Sequence, residues 1–273
     1  MTTVTLGKTG ITVNKNGFGA LPIQRITKEE AAKLLRKAYD GGITYFDTAR
    51  AYSDSEEKIG YALSDVRNHI YLATKTAATT AEGFWKDLET SLRLLKTDCI
   101  DVYQFHNPAV CPKPGDGSGL YEAMLEAKEQ GKIRFIGITN HRMSIAEEAI
   151  ESGLYDTLQF PFNYLSTERE IALAKACAEH KMGFIAMKGL SGGLLTNSAA
   201  IYAYMAQFEN VLPIWGVQKE SELDEFLSYI GNPPELTDEL KAVIEKDQKE
   251  LAGEFCRGCG YCMPCPAGIE INN

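Results

Sequence analysis

The sequence has no apolar run long enough to cross a membrane as a helix, and its first residues, MTTVTLGKTG, lack the apolar core of a secretory signal. It is also poor in basic residues, since 28 Lys and Arg stand against 37 Asp and Glu and give a formal net charge of −9. Nucleic acid and anionic membranes would repel that charge, so we expect neither as a partner. Together these absences predict a cytoplasmic protein.

Apolar residues nevertheless make up 44% of the 273 residues, which is enough for a large core. They are concentrated in short β-rich runs that begin at Gly17, Ile43, Ile70, Ile100, Ile133, Thr157, Gly183 and Val211. Near-continuous apolar runs of this length are typical of parallel strands buried on both faces. Helical patterns lie between them. Eight such repeats predict an α/β fold, a (β/α)₈ TIM barrel, with a doubly wound sheet as the alternative.

Capping boxes, in which a Ser or Thr precedes a Glu by three residues, mark the starts of three predicted helices. The pairs are Thr27 with Glu30, Ser144 with Glu147, and Thr167 with Glu170. Ahead of the first strand, LGKTGITVNKNG predicts a short hairpin that closes the bottom of the barrel. After Gly231 the residues NPPE interrupt the pattern, and residues 237–251 predict a short charged helix. We therefore expect a barrel over residues 1–231, followed over residues 232–273 by this helix and a cysteine-cluster tail.

Polar residues stand at the ends of several predicted strands, where the active sites of such barrels lie. Four of them form a candidate catalytic group: Asp47, Tyr52, Lys75 and His106. A tyrosine is a weak acid, but a neighbouring ammonium lowers its pKa by stabilising the phenolate. With Asp47 anchoring Lys75 and with His106 donating to a developing oxyanion, the group suits carbonyl reduction by Tyr52 as the acid. Each residue alone would more often be structural, as a turn cap, an interior ion pair or a loop contact.

Longer motifs carry a family resemblance. LGKTGITVNKNGFGA, GGITYFDTARAYSDSEEKIG, LATK, DVYQFHNP, GKIRFIGITNH, QFPFN and GLSGGLL resemble the aldo-keto reductase family over most of residues 5–230. The resemblance implies a barrel enzyme that uses NAD(P)H on a small carbonyl or alcohol substrate, with the same four catalytic residues. The positions assigned to cofactor contact are Thr139, Asn140, Gln159, Met187, Gly192, Gly193 and Lys219.

The sequence also departs from the family pattern at both ends of the expected cofactor site. Met187 stands where members commonly stack an aromatic ring on the nicotinamide, so a thioether would pack there instead. Glu222 and Phe226 stand where members that bind the 2′-phosphate carry an arginine and an asparagine, and Lys219 remains as the nearby cation. Because a carboxylate repels a phosphate, we expect no strong preference for NADP(H) over NAD(H).

The tail FCRGCGYCMPCP contains Cys256, Cys259, Cys262 and Cys265, each separated by two residues. A zinc ribbon usually pairs two Cys-x-x-Cys knuckles across a longer loop, whereas this tight spacing and the following proline resemble a ferredoxin run that binds a [4Fe–4S] cluster. It also resembles the tail of a bacterial subgroup of aldo-keto reductases with such motifs. In two-cluster ferredoxins the fourth cysteine binds the other cluster, so we expect the sequence to be part of a longer chain. A zinc-filled or redox dithiol tail remains the alternative.

Three functions are compatible with this sequence. The first is a nicotinamide-dependent oxidoreductase with an associated iron–sulfur cluster. The second is a redox-sensing or electron-transfer protein in which the barrel binds nucleotide weakly and the cluster serves a redox protein partner. The third is a structural module with a zinc-bound tail. Nicotinamide delivers hydride and a cluster takes single electrons, and without a flavin motif in the sequence no electron flow between the two sites is implied.

Overall fold

The computed structural model of the protein describes residues 3–251, and eight parallel strands within that range form a closed barrel. The barrel strands are β3 (Gly17–Gly19), β4 (Tyr45–Asp47), β5 (Tyr71–Thr76), β6 (Ile100–His106), β7 (Ile133–Thr139), β8 (Thr157–Pro161), β9 (Gly183–Met187) and β10 (Val211–Trp215). They follow each other in chain order around the barrel, and β10 pairs with β3 to close it. The predicted TIM barrel is therefore confirmed, and the doubly wound sheet is excluded.

Helices alternate with these strands and form the outer layer. The α-helices of the described range are α1 (Lys28–Asp40), α2 (Ser55–Leu63), α3 (Ala81–Leu95), α4 (Leu120–Glu129), α5 (Met143–Ser152), α6 (Glu168–Glu179), α7 (Ser198–Ala206), α8 (Glu220–Gly231) and α9 (Asp238–Glu250). Short 3-10 helices cover Pro22–Arg25, Ser64–His69 and Ser191–Gly193. Within the described range, none of these helices is long and apolar enough to cross a membrane.

Two of the three predicted capping boxes are present. Thr27 caps α1 and Thr167 caps α6, and in each the glutamate three residues later bonds back to the cap. The third prediction, Ser144 with Glu147, is wrong, because α5 begins one residue before Ser144. Asn140 is the physical reason: its side-chain oxygen accepts the amides of the next two residues and turns the chain early. Glu147 instead forms an ion pair with an arginine of α6.

The predicted hairpin is confirmed. Its strands are β1 (Thr3–Thr5) and β2 (Thr12–Asn14), which pair antiparallel. Its apolar side chains Val4, Leu6, Ile11 and Val13 are buried in a cluster with inward-facing residues of the barrel strands. Burying one such side chain contributes about 1.5–3 kcal/mol. The hairpin therefore fills the end of the barrel at which the strands begin and leaves the opposite end as the mouth.

Helix α9 packs against the barrel after the eighth strand–helix unit ends at Gly231. Ile244 is buried, the hydroxyl of Tyr164 donates to Asp247, and Gln248 donates to the carbonyl of Tyr164. Tyr164 follows β8 at the mouth of the barrel. The predicted charged helix is confirmed, and its last turns contact the same end of the barrel as the strand-end residues.

Candidate active site

A buried ion pair lies at the mouth of the barrel. Lys75, near the end of β5, places its Nζ 2.6 Å from Oδ1 of Asp47, the last residue of β4. The same ammonium donates to the carbonyl oxygen of Thr48 at 2.6 Å. Both charged side chains are almost completely excluded from solvent. Adjacent parallel strands bring the two residues together, as the sequence predicted.

Two buried amides surround the carboxylate of Asp47. Gln104 on β6 donates from Nε2 to Oδ2 of Asp47 at 3.2 Å and to Oε1 of Gln159 at 3.1 Å. Gln159 on β8 donates in turn to Oδ1 of Asp47 at 3.4 Å. Sequence reasoning did not identify Gln104. A signal was available, since it stands two residues before His106 in an apolar strand and residues two apart face the same side.

Tyr52 and His106 lie beside the ion pair. Their rings meet edge to face with centroids 5.7 Å apart, and Nζ of Lys75 lies 5.3 Å from the centre of the Tyr52 ring. Tyr52 is carried by the loop after β4, which is anchored by an ion pair between Arg50 and the buried Glu56. The structure thus brings together all four residues that the sequence singled out.

Burial dominates the protonation of this group. It raises the pKa of Asp47 and lowers the pKa of Lys75, while their mutual attraction opposes both shifts. It also raises the pKa of Tyr52, and the negative charge of Asp47 raises it further. The net shift of the Tyr52 pKa is therefore upward, opposite to the lowering that the sequence predicted. Tyr52 therefore carries its proton at neutral pH.

His106 is held neutral. Burial, followed by the charges of Lys75 and His141, lowers its pKa to about 3. His141, in the loop after β7, likewise has its pKa lowered to about 4 by burial and by Lys188. A neutral imidazole carries one N–H, so at neutral pH His106 can donate a hydrogen bond but is a poor source of a full proton.

Two of the expected cofactor contacts already have partners within the protein. The hydroxyl oxygen of Thr139 accepts the amide of Asn107 at 3.1 Å. Asn140 donates to the carbonyl of Pro108 at 3.0 Å, and its side-chain oxygen accepts the amides of His141 and Arg142. Both side chains are buried and hold the loop after His106 in place.

The other expected contacts lie after β9 and β10. Met187 ends β9 and places its sulfur 3.8 Å from Nε2 of Gln159. Gly192 and Gly193 form a tight turn with left-handed backbone, φ 72° and 97°, and the amide of Gly193 donates to the carbonyl of Leu190. The amide nitrogens of Gln218 and Lys219, at the start of α8, donate to Glu222 at 3.1 and 3.2 Å.

A family model described as "Aldo/keto reductase family" matches residues 15–209, which is more than half of the chain. The chain belongs to the aldo/keto reductase family. It is 31% identical over 210 residues to the aldo-keto reductase YhdN of Bacillus subtilis, a match that covers 70% of this chain and 62% of YhdN. It is 30% identical over 208 residues to the methylglyoxal reductase DkgB of Salmonella typhimurium, a match that covers 70% of this chain and 74% of DkgB. The chain thus spans less than two thirds of the length of YhdN and of a second Bacillus subtilis relative, the uncharacterized oxidoreductase YqkF, of which 65% is covered.

Solved structures show the same fold. The chain superposes with a TM-score of 0.78 on the aldo-keto reductase AKR11C1 of Bacillus halodurans in its holo form, at 22% identity, with 90% of this chain and 96% of that one covered. An aldo-keto reductase of Klebsiella pneumoniae in complex with NADP and acetate gives a TM-score of 0.76 at 23% identity, with coverage of 90% and 94%. The barrel of this aldo/keto reductase chain therefore follows the family architecture.

Two clefts lie at opposite ends of the barrel. One of about 460 Å³ adjoins His106 and is lined mainly by apolar residues, among them Phe105, Pro108, Val110 and Leu120. The other, about 530 Å³, lies where the strands begin and is lined in part by arginines that already pair with Asp101. The first cleft is the one next to the strand-end residues and is the candidate substrate pocket.

The predicted metal ligands Cys256, Cys259, Cys262 and Cys265 lie outside the described residues. Within residues 3–251, no group of three or more His, Cys, Asp or Glu side chains could hold a metal ion. The cysteines of that range, Cys99, Cys111 and Cys177, are unpaired by disulfides. The metal hypothesis therefore depends on the tail alone.

The lowered pKa of His106 and of His141 predicts a specific pH dependence. We expect their ring C–H signals in proton NMR not to titrate between about pH 5 and 8, with assignment by His106→Gln and His141→Gln. In the unfolded chain these two histidines take up protons below about pH 6.5, whereas in the folded protein they do so only near pH 3 to 4. The free energy of unfolding should therefore decrease as the pH falls from about 6.5 towards that range. An assigned signal with a midpoint near 6.5 would show that the ring is hydrated and that burial does not control it.

Proposed function

We propose that the protein is a reductase that transfers hydride between a nicotinamide cofactor and a small carbonyl or alcohol substrate. The observation that carries this proposal is the buried contact of 2.6 Å between Lys75 and Asp47, with the rings of Tyr52 and His106 beside it at the barrel mouth. Family membership supports it, as do the relative named as a methylglyoxal reductase and the related structure in complex with NADP.

Each side chain has a role that follows from its protonation. When bound, the cofactor supplies hydride to the carbonyl carbon, and the electron pair of the C=O bond moves to the oxygen. The hydroxyl of Tyr52 gives its proton to that oxygen, which produces the alcohol. The neutral ring of His106 donates a hydrogen bond to the developing oxyanion. Lys75 stabilises the resulting phenolate, and Asp47 keeps the ammonium charged and in place.

The residues at the mouth fit the nicotinamide end of such a cofactor better than its 2′-phosphate end. The amide of Gln159 contacts both the carboxylate of Asp47 and the thioether of Met187, and together they offer a polar group and a polarisable apolar surface to a neutral ring. At the start of α8 the amides of Gln218 and Lys219 are occupied by Glu222. The anion site that a helix start usually provides is therefore filled by the protein's own carboxylate.

The role of Tyr52 is tested by Tyr52→Phe, which removes only the hydroxyl. Reduction of a simple aldehyde should fall by about 10² to 10⁴-fold, because proton donation is lost. Cofactor affinity, measured by fluorescence titration, should stay within a few-fold. Tyr61→Phe, at a half-exposed tyrosine on α2, is the matched control and should behave as wild type. Undiminished turnover in Tyr52→Phe would assign the proton to another group.

Cofactor choice is tested at Glu222. We propose that wild type binds NADPH at most about a hundredfold more tightly than NADH, because the carboxylate repels a 2′-phosphate. Glu222→Gln removes this charge and should shift the ratio towards NADPH, whereas Glu225→Gln, at an exposed position of the same helix, should leave it unchanged. Fluorescence titration of both cofactors measures the ratio. A larger NADPH preference in wild type would place the phosphate site elsewhere.

We further propose that residues 1–231 form the catalytic barrel and residues 232–273 an extension that carries a [4Fe–4S] cluster. The support is the spacing of Cys256, Cys259 and Cys262, which lets three thiolates face one side of a cube, with Cys265 either completing that site or serving a second cluster. A redox protein partner would then exchange electrons with the cluster.

Anaerobically purified protein tests the cluster. About four iron and four acid-labile sulfide per chain are expected, with a paramagnetic resonance signal after reduction. Cys259→Ser should lose the iron, and Cys99→Ser, a change outside the tail, should keep it. Stoichiometric zinc without sulfide would replace this proposal with the zinc-tail alternative.

A further inference from the structure

Gln104 is a fully buried polar residue in the middle of the apolar strand β6. Its neighbour in the next strand is Gly137, and a Cβ at that glycine would lie 2.7 Å from Cγ of Gln104. Since carbon atoms do not approach so closely without displacement, only glycine leaves the side chain of Gln104 its present path. The missing side chain on β7 thus makes room for the glutamine inside the barrel.

The amide of Gln104 reaches strands on both sides of its own. One hydrogen of Nε2 is donated to Asp47 on β4 and the other to Gln159 on β8, so both donors are used. Residues from alternate strands form one layer of a TIM barrel, and these three form such a layer around the barrel axis. A single amide therefore connects the carboxylate of the ion pair to the side chain of Gln159.

The oxygen of the same amide is buried without a hydrogen-bond partner among the described residues. Leaving a buried acceptor unpaired costs on the order of 1–3 kcal/mol. An apolar residue of equal length would avoid that cost, so the useful part of Gln104 is its pair of donors. Their two acceptors, Asp47 and Gln159, both belong to the candidate active site.

We propose that Gln104 is a positioning residue, which holds the carboxylate of Asp47 towards Lys75 and fixes the amide of Gln159 so that its nitrogen faces Asp47. The inference rests on the proposed reductase function and adds to it a residue that acts through Asp47 rather than on the substrate. Without Gln104, the carboxylate of Asp47 keeps Lys75 but loses one of its amide donors.

The direction of the effect on Asp47 follows from its surroundings. The titratable groups that face its carboxyl are Lys75 from β5, Tyr52 from the following loop and Tyr45 from its own strand. Burial raises the pKa of Asp47, and the bond from Gln104 is one of the contacts that oppose this shift. Removing the donor should therefore raise the pKa further, so that activity is lost at a higher pH as the solution is acidified.

The test compares Gln104→Met, which has a similar length without donors, with Gln104→Glu, which has the same volume and places a second carboxyl against Asp47. The carboxyl ¹³C signal of Asp47, assigned with Asp47→Asn, gives the titration midpoint directly, and the pH profile of kcat gives its consequence. Val102→Ala is the matched control, because Val102 lies two residues before Gln104 on the same strand, belongs to the apolar cluster and has no side-chain hydrogen bond to give Asp47.

Both Gln104 variants should move the midpoint to higher pH, with the larger shift in Gln104→Glu because two close carboxyls share one proton. Loss of a hydrogen bond to a charged group should lower kcat in Gln104→Met roughly tenfold to a hundredfold. Val102→Ala should leave the midpoint in place. The positioning role would be refuted if Gln104→Met left the titration midpoint of Asp47 unchanged and kept kcat within twofold of wild type. If Gln104→Met does not fold, the same two measurements on Gln104→Glu decide. The NMR midpoint does not require turnover, so a wild-type protein without reductase activity would refute the proposed function and still leave the positioning role to be decided.

Discussion

The ion pair between Asp47 and Lys75 is the interaction on which the rest of the site depends. Removing a charge from water costs several kcal/mol unless a partner compensates for it, and each member of this pair provides that compensation for the other. The pair forms because β4 and β5 are neighbours in a parallel barrel. The ammonium also bonds the carbonyl of Thr48, where the loop to Tyr52 begins. The position of the proton donor is thus tied to the charge pair.

The two ends of this site differ in burial. Around Asp47 burial disfavours the charged forms of Tyr52 and His106, and the neighbouring charges add to that effect, so that Tyr52 stays protonated and His106 neutral. At the start of α8 the chain is more open, and Glu222 fills the helix start with a carboxylate. The groups at the barrel mouth are therefore held in fixed positions, whereas the start of α8 offers little to the 2′-phosphate of NADP(H).

Much of this arrangement could be predicted from the sequence because barrel strands repeat at a regular period and place their last residues at one end. Six of the eight strands begin at the predicted residue, and the strand starts near Ile43 and Ile70 differ by one or two positions. Features that depend on distant neighbours could not be predicted in the same way. The early start of α5 depends on the side chain of Asn140, and the raised pKa of Tyr52 depends on how deeply it is buried. The position of the Gln104 side chain depends on Gly137 in the neighbouring strand.

The central claim is that the buried ion pair serves hydride transfer, and isotopic labelling tests it most directly. Purified protein would be given a simple aldehyde with NADH or NADPH that carries deuterium at the reactive carbon, and the alcohol would be analysed by mass spectrometry. One deuterium on the former carbonyl carbon is expected with wild type, and little product with Lys75→Met. An alcohol without that deuterium, or one formed equally fast by Lys75→Met, would show that the ion pair does not serve hydride transfer.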